Sequence, residues 1–424
     1  MSVLGISGGV LRRAAEIARP FGADGTELLT GRAALLGLRP AGQVSAGGAT
    51  RLLRAADGWC ALTLSRAADV DAVPALLEVD ELGDMWSDVA HWVRTRGAAQ
   101  VVERAVLLDL PVARLGEAAA VPPRVSACGT AVAPRTPAGL LVVDLTSMWA
   151  GPLCGQLLAR TGATVVKVES PSRPDGTRAG DVRFFDWMNS GKLSCAMDFD
   201  RDRVDLEALL AEADVVLDGA RPAALARRGL GPSRPGRPGR VWLRLSGFAG
   251  AEGRPAFGDD AAVAGGLVGR DDEGAPVFVG DAIADPLTGL EAAAAVVVEG
   301  VGRGEAARRR RGQGEEGETG GETGEACARH IRHLIQGSCQ PRIHRRRGDR
   351  PRRHDTPITV RARAPCPGRR SVHLGWRHRQ LDPRRRPAAG TARELDAAVV
   401  RRRRQLRAVD LAQLRAWHAG RQAG

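Results

Sequence analysis

The side chains of this chain that could do chemistry are acids and arginines rather than thiols or metal ligands. Cys60, Cys128, Cys154, Cys195, Cys327, Cys339 and Cys366 are scattered and form no CxxC pair. Neither a zinc site nor a disulfide framework is indicated, no metal is expected, and a reducing cytoplasm fits best. The run "VVDLTSMWAGPLCGQLLARTGATVVKVE" reads as strand, turn, helix, strand. Such a unit presents a helix N-terminus whose free N–H groups favour phosphate. Glu169, after the second strand, stands where dinucleotide folds keep a ribose-holding acid. The turn reads Ser147-Met148-Trp149-Ala150-Gly151-Pro152, without GxGxxG, which disfavours NAD and leaves α/β packing as the plainer reading. Asp285 is followed by Pro286 at the start of a helix, and on residue types alone it is an N-cap.

The elements around these residues follow from hydrophobic pattern. "GLLVVDL", "ATVVKVE", "DVVLDG" and "RVWLRLSG" are apolar strands alternating with the helices "LCGQLLART" and "DRVDLEALLAEA". That alternation predicts a parallel sheet covered on both faces. "DPLTGLEAAAAVVVEG" reads as a helix starting near Asp285. Upstream, "ATRLLRAADGWCALTLS" predicts two short strands around the Asp57-Gly58 turn. "TRGAAQVVERAVLLDLPVARL" opens as an amphipathic helix, with Ala98, Val101, Val102 and Ala105 inward and Arg96 and Glu103 toward water. The Pro- and Ala-rich stretch 121–139 is the linker candidate. The expected organisation is a small α+β segment over 1–120, a linker over 121–139, an α/β segment over 140–300 and a low-complexity tail over 301–424.

The net charge of +13 over 424 residues is unevenly placed. Residues 301–424 hold 31 Arg, no Lys and 12 acids, whereas residues 1–300 hold 31 basic and 37 acidic residues. The body is thus mildly acidic and the tail strongly basic, a distribution that raises nucleic-acid binding as one function class. Few apolar residues and much like charge predict a disordered tail. "ELDAAVVRRRRQLRAVDLAQLRAWHAG" could form one amphipathic helix. No apolar run approaches the ~20 residues of a membrane span, and the first 25 residues do not read as a secretory signal.

Six motifs then arrive in order: "VVDLTSMWAGPLCGQLLARTGATVVKVESP", "GTRAGD", "FFDWMNSGKLSCAMDFD", "ADVVLDGARPAALARRGLGP", "RLSGFAG" and "IADPLTG". This series resembles the large domain of family III CoA-transferases, the family of formyl-CoA transferase and alpha-methylacyl-CoA racemase, from its first strand to its nucleophile-bearing helix. "DGWCALTL" and "VRTRGAAQVVERAVLLDLPVARLGEA" resemble the family's distal small domain, here placed before the large one. The implied fold is a Rossmann-like parallel sheet, incomplete at its far end. Beyond "VVVEGVGRGEAARRRRGQGEEG" the resemblance stops, and a tail out of frame or otherwise aberrant is the leading reading of 301–424.

The resemblance implies transfer of CoA between an acyl-CoA and a carboxylic acid, with Asp285 as the nucleophile. It points to CoA contacts at Trp149 and Ala150, at Met197, Asp198, Phe199 and Asp200, at Gly219, Ala220 and Arg221, at Arg227, and at Ser246, Gly247, Phe248 and Ala249. Coenzyme A enters as substrate rather than as a resident cofactor, and the family implies an interlocked homodimer. Ser170, Trp149 and the pair Gly219-Ala220 depart from formyl-CoA transferase, which puts oxalate or formate as substrate in doubt. Gly258-Asp259-Asp260 occupies the place of the racemase histidine, and no His lies between His91 and His330, so racemase chemistry is not expected. Two rival readings are a catalytically inactive family member and nucleic-acid binding through the tail.

Overall fold

The computed structural model describes residues 3–119, 132, 135–219, 222–234, 236–251 and 253–297. The whole tail, most of the 121–139 linker, and Ala220 and Arg221 lie outside the described residues. In chain order the elements are α1 (Gly8–Ala18), α2 (Gly25–Leu36), β1 (Thr50–Arg54), β2 (Trp59–Thr63), α3 (Ala67–Asp71), α4 (Val73–Leu77), α5 (Met85–Arg94), α6 (Ala98–Leu107) and β3 (Val112–Arg114). There follow β4 (Leu141–Asp144), α7 (Ala150–Arg160), β5 (Thr164–Glu169), α8 (Val182–Asn189), β6 (Leu193–Ala196), α9 (Arg203–Glu212), β7 (Val215–Asp218), α10 (Pro222–Ala226) and β8 (Val241–Arg244). Last come α11 (Gly258–Ala264), β9 (Gly269–Arg270), β10 (Pro276–Val277) and α12 (Ala284–Ala295).

The expected parallel sheet is present, with five strands in the order β6-β5-β4-β7-β8, and every neighbouring pair is parallel. The chain begins in the middle, winds outward to β6, then returns to the other side of β4. That reversal opens a crevice beyond the carboxyl ends of β4 and β7, where doubly wound sheets bind their ligands. Alternate residues of β4 serve opposite cores. Leu140 and Val142 join α7 and α12, while Leu141 and Val143 join α9. Both faces of the central strands β4 and β7 are therefore dry, which explains why each is apolar up to its closing aspartate.

The Asp57-Gly58 hairpin forms as read, pairing Thr50 with Thr63 and Arg54 with Trp59. Leu53, Cys60, Leu62 and Val112 face a core made with α4, α5 and α6, in which Ala98, Val101, Val102 and Ala105 of α6 are buried as their spacing predicts. Leu52 and Ala61 face the other way, onto Val263 of α11 and Phe278. This period-2 division is why one short hairpin can join two cores. Helices α1 and α2 do not enter the core around β1–β3. Ile6, Val10, Ala14, Ile17, Leu28 and Leu29 pack instead with α7 and α12 against the parallel sheet.

Candidate active site

Asp285 is the second residue of α12, not its N-cap. The cap position is Ile283, in helical conformation and without a capping side chain. The Asp285 N–H donates to Ala282 O at 2.9 Å, so the first turn closes on backbone alone. The Asp285 carboxylate instead comes under the influence of the Gly258 N–H, at the start of α11, which works to lower its pKa. The N-cap expectation is thus overturned: the helix needs no side-chain cap, and the acid is left free to face a different element.

The approach to Asp285 is tightly fitted. Ala282 has φ +42°, the left-handed region that an L-residue enters at a cost. Gly258 makes this turn possible, since a Cβ there would stand 2.2 Å from Ala282 O. One turn further along α12, a Cβ on Gly289 would meet Ala150 O at 2.6 Å. Gly289 therefore lets α12 lie on the start of α7, one turn after Asp285.

Three further acids share this corner. Asp259 accepts Ala282 N–H at 3.0 Å and the Thr50 hydroxyl at 3.2 Å. Asp260, fully buried, accepts Phe257 N–H at 3.0 Å and the Thr63 hydroxyl at 2.9 Å, while its second oxygen has no partner. Asp281 is ion-paired to Arg32 at 2.6 Å, and its second oxygen also lacks a partner. Burial, then the neighbouring Asp259, pushes Asp285 up to about 7, against the pull of Arg32. Burial does the same to Asp260, up to about 7, and to Asp281, up to about 6. Asp285 alone of these last three keeps an appreciable part of its surface open. A carboxyl with a raised pKa, on a residue that is not fully buried, is equipped to attack an electrophilic carbonyl.

The opposite wall of the corner is the loop after β4. Lys192 donates to Asp144 at 2.8 Å, to Pro152 O at 2.8 Å and to Asn189 at 3.0 Å, which uses all three ammonium protons. Lys167 donates to Thr146 O at 3.0 Å and to Asp175 at 2.8 Å. Asp175 also accepts Met148 N–H at 3.1 Å, holding Met148 at φ +73°. Burial works against ionisation of Asp144 and Asp175, but the two lysines hold both below the usual carboxylate range. Glu169 accepts two bonds from Arg178, at 2.9 and 2.6 Å, and the Asp175 N–H at 2.9 Å. It is part of this scaffold and is not open to a ribose.

The residues picked out for CoA contact lie mostly where strands end. Trp149 and Ala150 follow β4, Met197 to Asp200 follow β6, Gly219 follows β7, and Ser246 to Ala249 follow β8. They do not all present side chains. Trp149, Met197 and Phe248 are buried, and Phe248 packs with Ala113 of β3 under the Arg254 guanidinium, 3.8 Å from its ring. Phe199 packs on the core below α9. Asp198 accepts the N–H groups of Asp200 and Arg201 at 3.0 Å, and Asp200 pairs with Arg228 at 2.7 Å. Gly219, Ser246, Gly247 and Ala249 are exposed. Arg227, after α10, is exposed and makes no ion pair among the described residues. Sequence reasoning missed Arg32, Asp281 and the two threonines, and it treated Asp259-Asp260 only as a place without histidine. Among the described residues no group of three or more His, Cys, Asp or Glu is arranged to hold a metal ion, and no helix is long and apolar enough to cross a membrane.

Residues 138–320 match CoA-transferase family III. The match reaches twenty residues past Gly300, where the resemblance in the motifs stops. The family resemblance is borne out for this segment. A succinyl-CoA:mesaconate CoA-transferase of Haloarcula hispanica is 33% identical over 175 residues, 36% of this chain and 44% of that protein. A probable fatty acyl-CoA transferase of Mycobacterium tuberculosis is 36% identical over 124 residues, 26% of this chain and 32% of that protein. A solved CaiB/BaiF family protein from Brucella suis is 28% identical, covering 48% of this chain and 55% of that one at a TM-score of 0.37. The chain spans less than half the length of these curated relatives.

Proposed function

We propose that this protein moves CoA between an acyl-CoA and a carboxylic acid through a covalent intermediate on Asp285. The observation that carries the reading is Asp285 itself, at the start of α12, a residue that is not fully buried and whose carboxyl pKa is pushed up by burial and by Asp259. Asp285 attacks the thioester carbonyl, forming a mixed anhydride and releasing CoA thiolate. The thiolate then attacks the aspartyl carbonyl, giving an aspartyl thioester and freeing the first acid. The acceptor carboxylate reverses both steps, leaving as the new acyl-CoA and restoring Asp285. Each step exchanges one acyl bond for another, so no oxidant or water is consumed, and one hard exchange becomes several easier ones. The Gly258 N–H, which already acts on the Asp285 carboxyl, is the backbone donor that would stabilise oxyanions at this carbon. CoA lies along the strand ends, near Trp149, Ala150, Met197 to Asp200, Gly219 and Ser246 to Ala249, and Arg227, exposed and without an ion pair among the described residues, is a cation suited to a phosphate. Ala220 and Arg221 complete that set in the resemblance. Two copies acting as a homodimer, a cytoplasmic location and the domain limits near 120, 139 and 300 belong to the same proposal.

Asp285→Asn should abolish exchange and leave CoA binding within about twofold, since the amide keeps the shape but cannot form the anhydride. Wild-type protein given an acyl-CoA and then hydroxylamine should carry a hydroxamate on the peptide containing Asp285, read by mass. Exchange that survives in the Asn variant would remove Asp285 from the mechanism. A second reading is an inactive member that binds CoA without exchange. CoA binding with no adduct in the wild type would select it.

A further inference from the structure

Arg32 lies in α2, 249 residues before its ion-pair partner Asp281. Its route to the site is opened by two glycines. Gly25 lets α2 cross α1, where a Cβ would stand 2.4 Å from the Ala14 and Ala15 backbone, and Gly31 lets α2 lie on α8, where a Cβ would stand 2.6 Å from the Trp187 ring. So seated, the Arg32 guanidinium sits 5.5 Å from the Trp149 ring centre and 5.3 Å from that of Phe184. These two rings meet edge to face at 5.2 Å, forming an aromatic corner that fixes the arginine. Its 2.6 Å bond to Asp281 then reaches the start of the strained turn that ends at Asp285.

The charged groups around Asp285 come from every neighbouring element. α11 supplies Asp259 and Asp260, the preceding turn supplies Asp281, and α2 supplies Arg32. Within α12, Glu291 is paired with Arg13 of α1 at 3.4 Å. α7 carries Arg160 at its far end, bonded to Gly22 O. Arg32 is the cation paired into the acid group.

We propose that Arg32 is a positioning residue of the active site, supplied by the N-terminal segment: its ion pair with Asp281 sets the turn that carries Asp285, and its charge offsets the acids around that carboxylate. The inference rests on the CoA-transfer reading for its purpose, but its physical content can be measured without turnover. Burial and then Asp259 push the Asp285 pKa up, Arg32 pulls it down, and Asp281 adds a smaller upward push.

The test uses the full-length protein labelled with 13C at aspartate carboxyls, with the Asp285 signal identified by its loss in Asp285→Asn. Arg32→Gln should raise the Asp285 titration midpoint by about one pH unit or more, as loss of a close opposite charge does. Arg32→Lys, which keeps the charge, should hold it within about a third of that shift. Exchange by Arg32→Gln should fall about tenfold at pH 6 and recover by pH 9, a rescue that a misfolded site would not show. Should Arg32→Gln fail to fold, Asp281→Asn serves in its place, and the Asp285 midpoint should drop as a like charge is removed. An unmoved midpoint in Arg32→Gln, equal shifts in the Gln and Lys variants, or a raised midpoint in Asp281→Asn would overturn the proposal. A wild type that exchanges no CoA yet shows these shifts supports Arg32 as the residue that sets Asp285 and defeats the transfer reading alone.

Discussion

Two groups of largely buried acids, one under the loop after β4 and one at α11 and α12, are treated in opposite ways. Under the loop after β4, Asp144 and Asp175 each meet a lysine at 2.8 Å and accept further backbone or hydroxyl bonds. At α11 and α12, four acids share one paired arginine, and Asp260 and Asp281 each keep an oxygen without a partner. The first arrangement lowers carboxylate pKa values and the second raises them. The contrast separates holding from reacting. A saturated ion pair fixes a loop, because every displacement costs hydrogen bonds. An under-compensated acid keeps unspent reactivity, at the expense of stability.

The sharpest way to break this comparison is to remove a lysine. Lys192→Met should strand Asp144 as a buried, unpaired charge and cost about 3–5 kcal/mol. Urea unfolding at pH 7 measures it. The double variant Asp144→Asn, Lys192→Met should recover a large part of the loss, since the stranded charge is gone. A loss below about 1 kcal/mol for the single variant would mean that the pair is solvated and holds little.

How much of this could be read from the residues differs between the two groups. The strands, the hairpin and helix α6 were legible because each is a local pattern of apolar residues, and burial enforces that pattern. The lysines gave no reading of their role. The chain holds two, Lys167 and Lys192, among 62 basic residues, and both are buried. The acid corner gave almost none either. Thr50 and Thr63 reach Asp259 and Asp260 from about two hundred residues away, and Arg32 reaches Asp281 from further still. Residue spacing carries no record of such long-range contacts. Asp285 itself was found through the family's motif order, whereas its residue type and its Pro286 neighbour pointed to a cap that the fold does not use.

A second test follows the pH dependence of stability. Asp260 rises from 3.8 to about 7 on folding, so the folded state binds its proton more tightly than the unfolded chain does. Its contribution is fully present below pH 4 and is lost as pH rises through about 7. Asp281 and Asp285 act with the same sign, through about 6 and about 7. Asp144 and Asp175, held low, act with the opposite sign, and their contribution disappears only as pH falls below the ordinary carboxylate range. Unfolding free energy should therefore decline between pH 5 and 8, by an amount on the order of 2–4 kcal/mol. Asp260→Asn should flatten that decline. A flat wild-type profile would show that the acid corner is hydrated and no different from the lysine-paired side.

The smallest effect is the most discriminating, because one substitution should change sign between the two groups. At pH 5, Asp285 is protonated, and an amide replaces a neutral carboxyl of the same shape, so Asp285→Asn should leave stability within about 0.5 kcal/mol. At pH 8 the wild-type carboxylate is ionised beside Asp259 and Asp281, and the amide removes that repulsion. The variant should then be more stable than the wild type by about 1 kcal/mol, a figure kept small because water reaches part of the side chain. Asp144→Asn should be destabilising at both pH values, since it leaves Lys192 buried without a counter-charge. Thermal unfolding of the three proteins at pH 5 and pH 8 resolves the difference. A variant that loses exchange while gaining stability at pH 8 is the expected behaviour of an acid kept for chemistry. A loss of stability in Asp285→Asn at pH 8 would instead make Asp285 a structural acid like Asp144 and dissolve the distinction between the two groups.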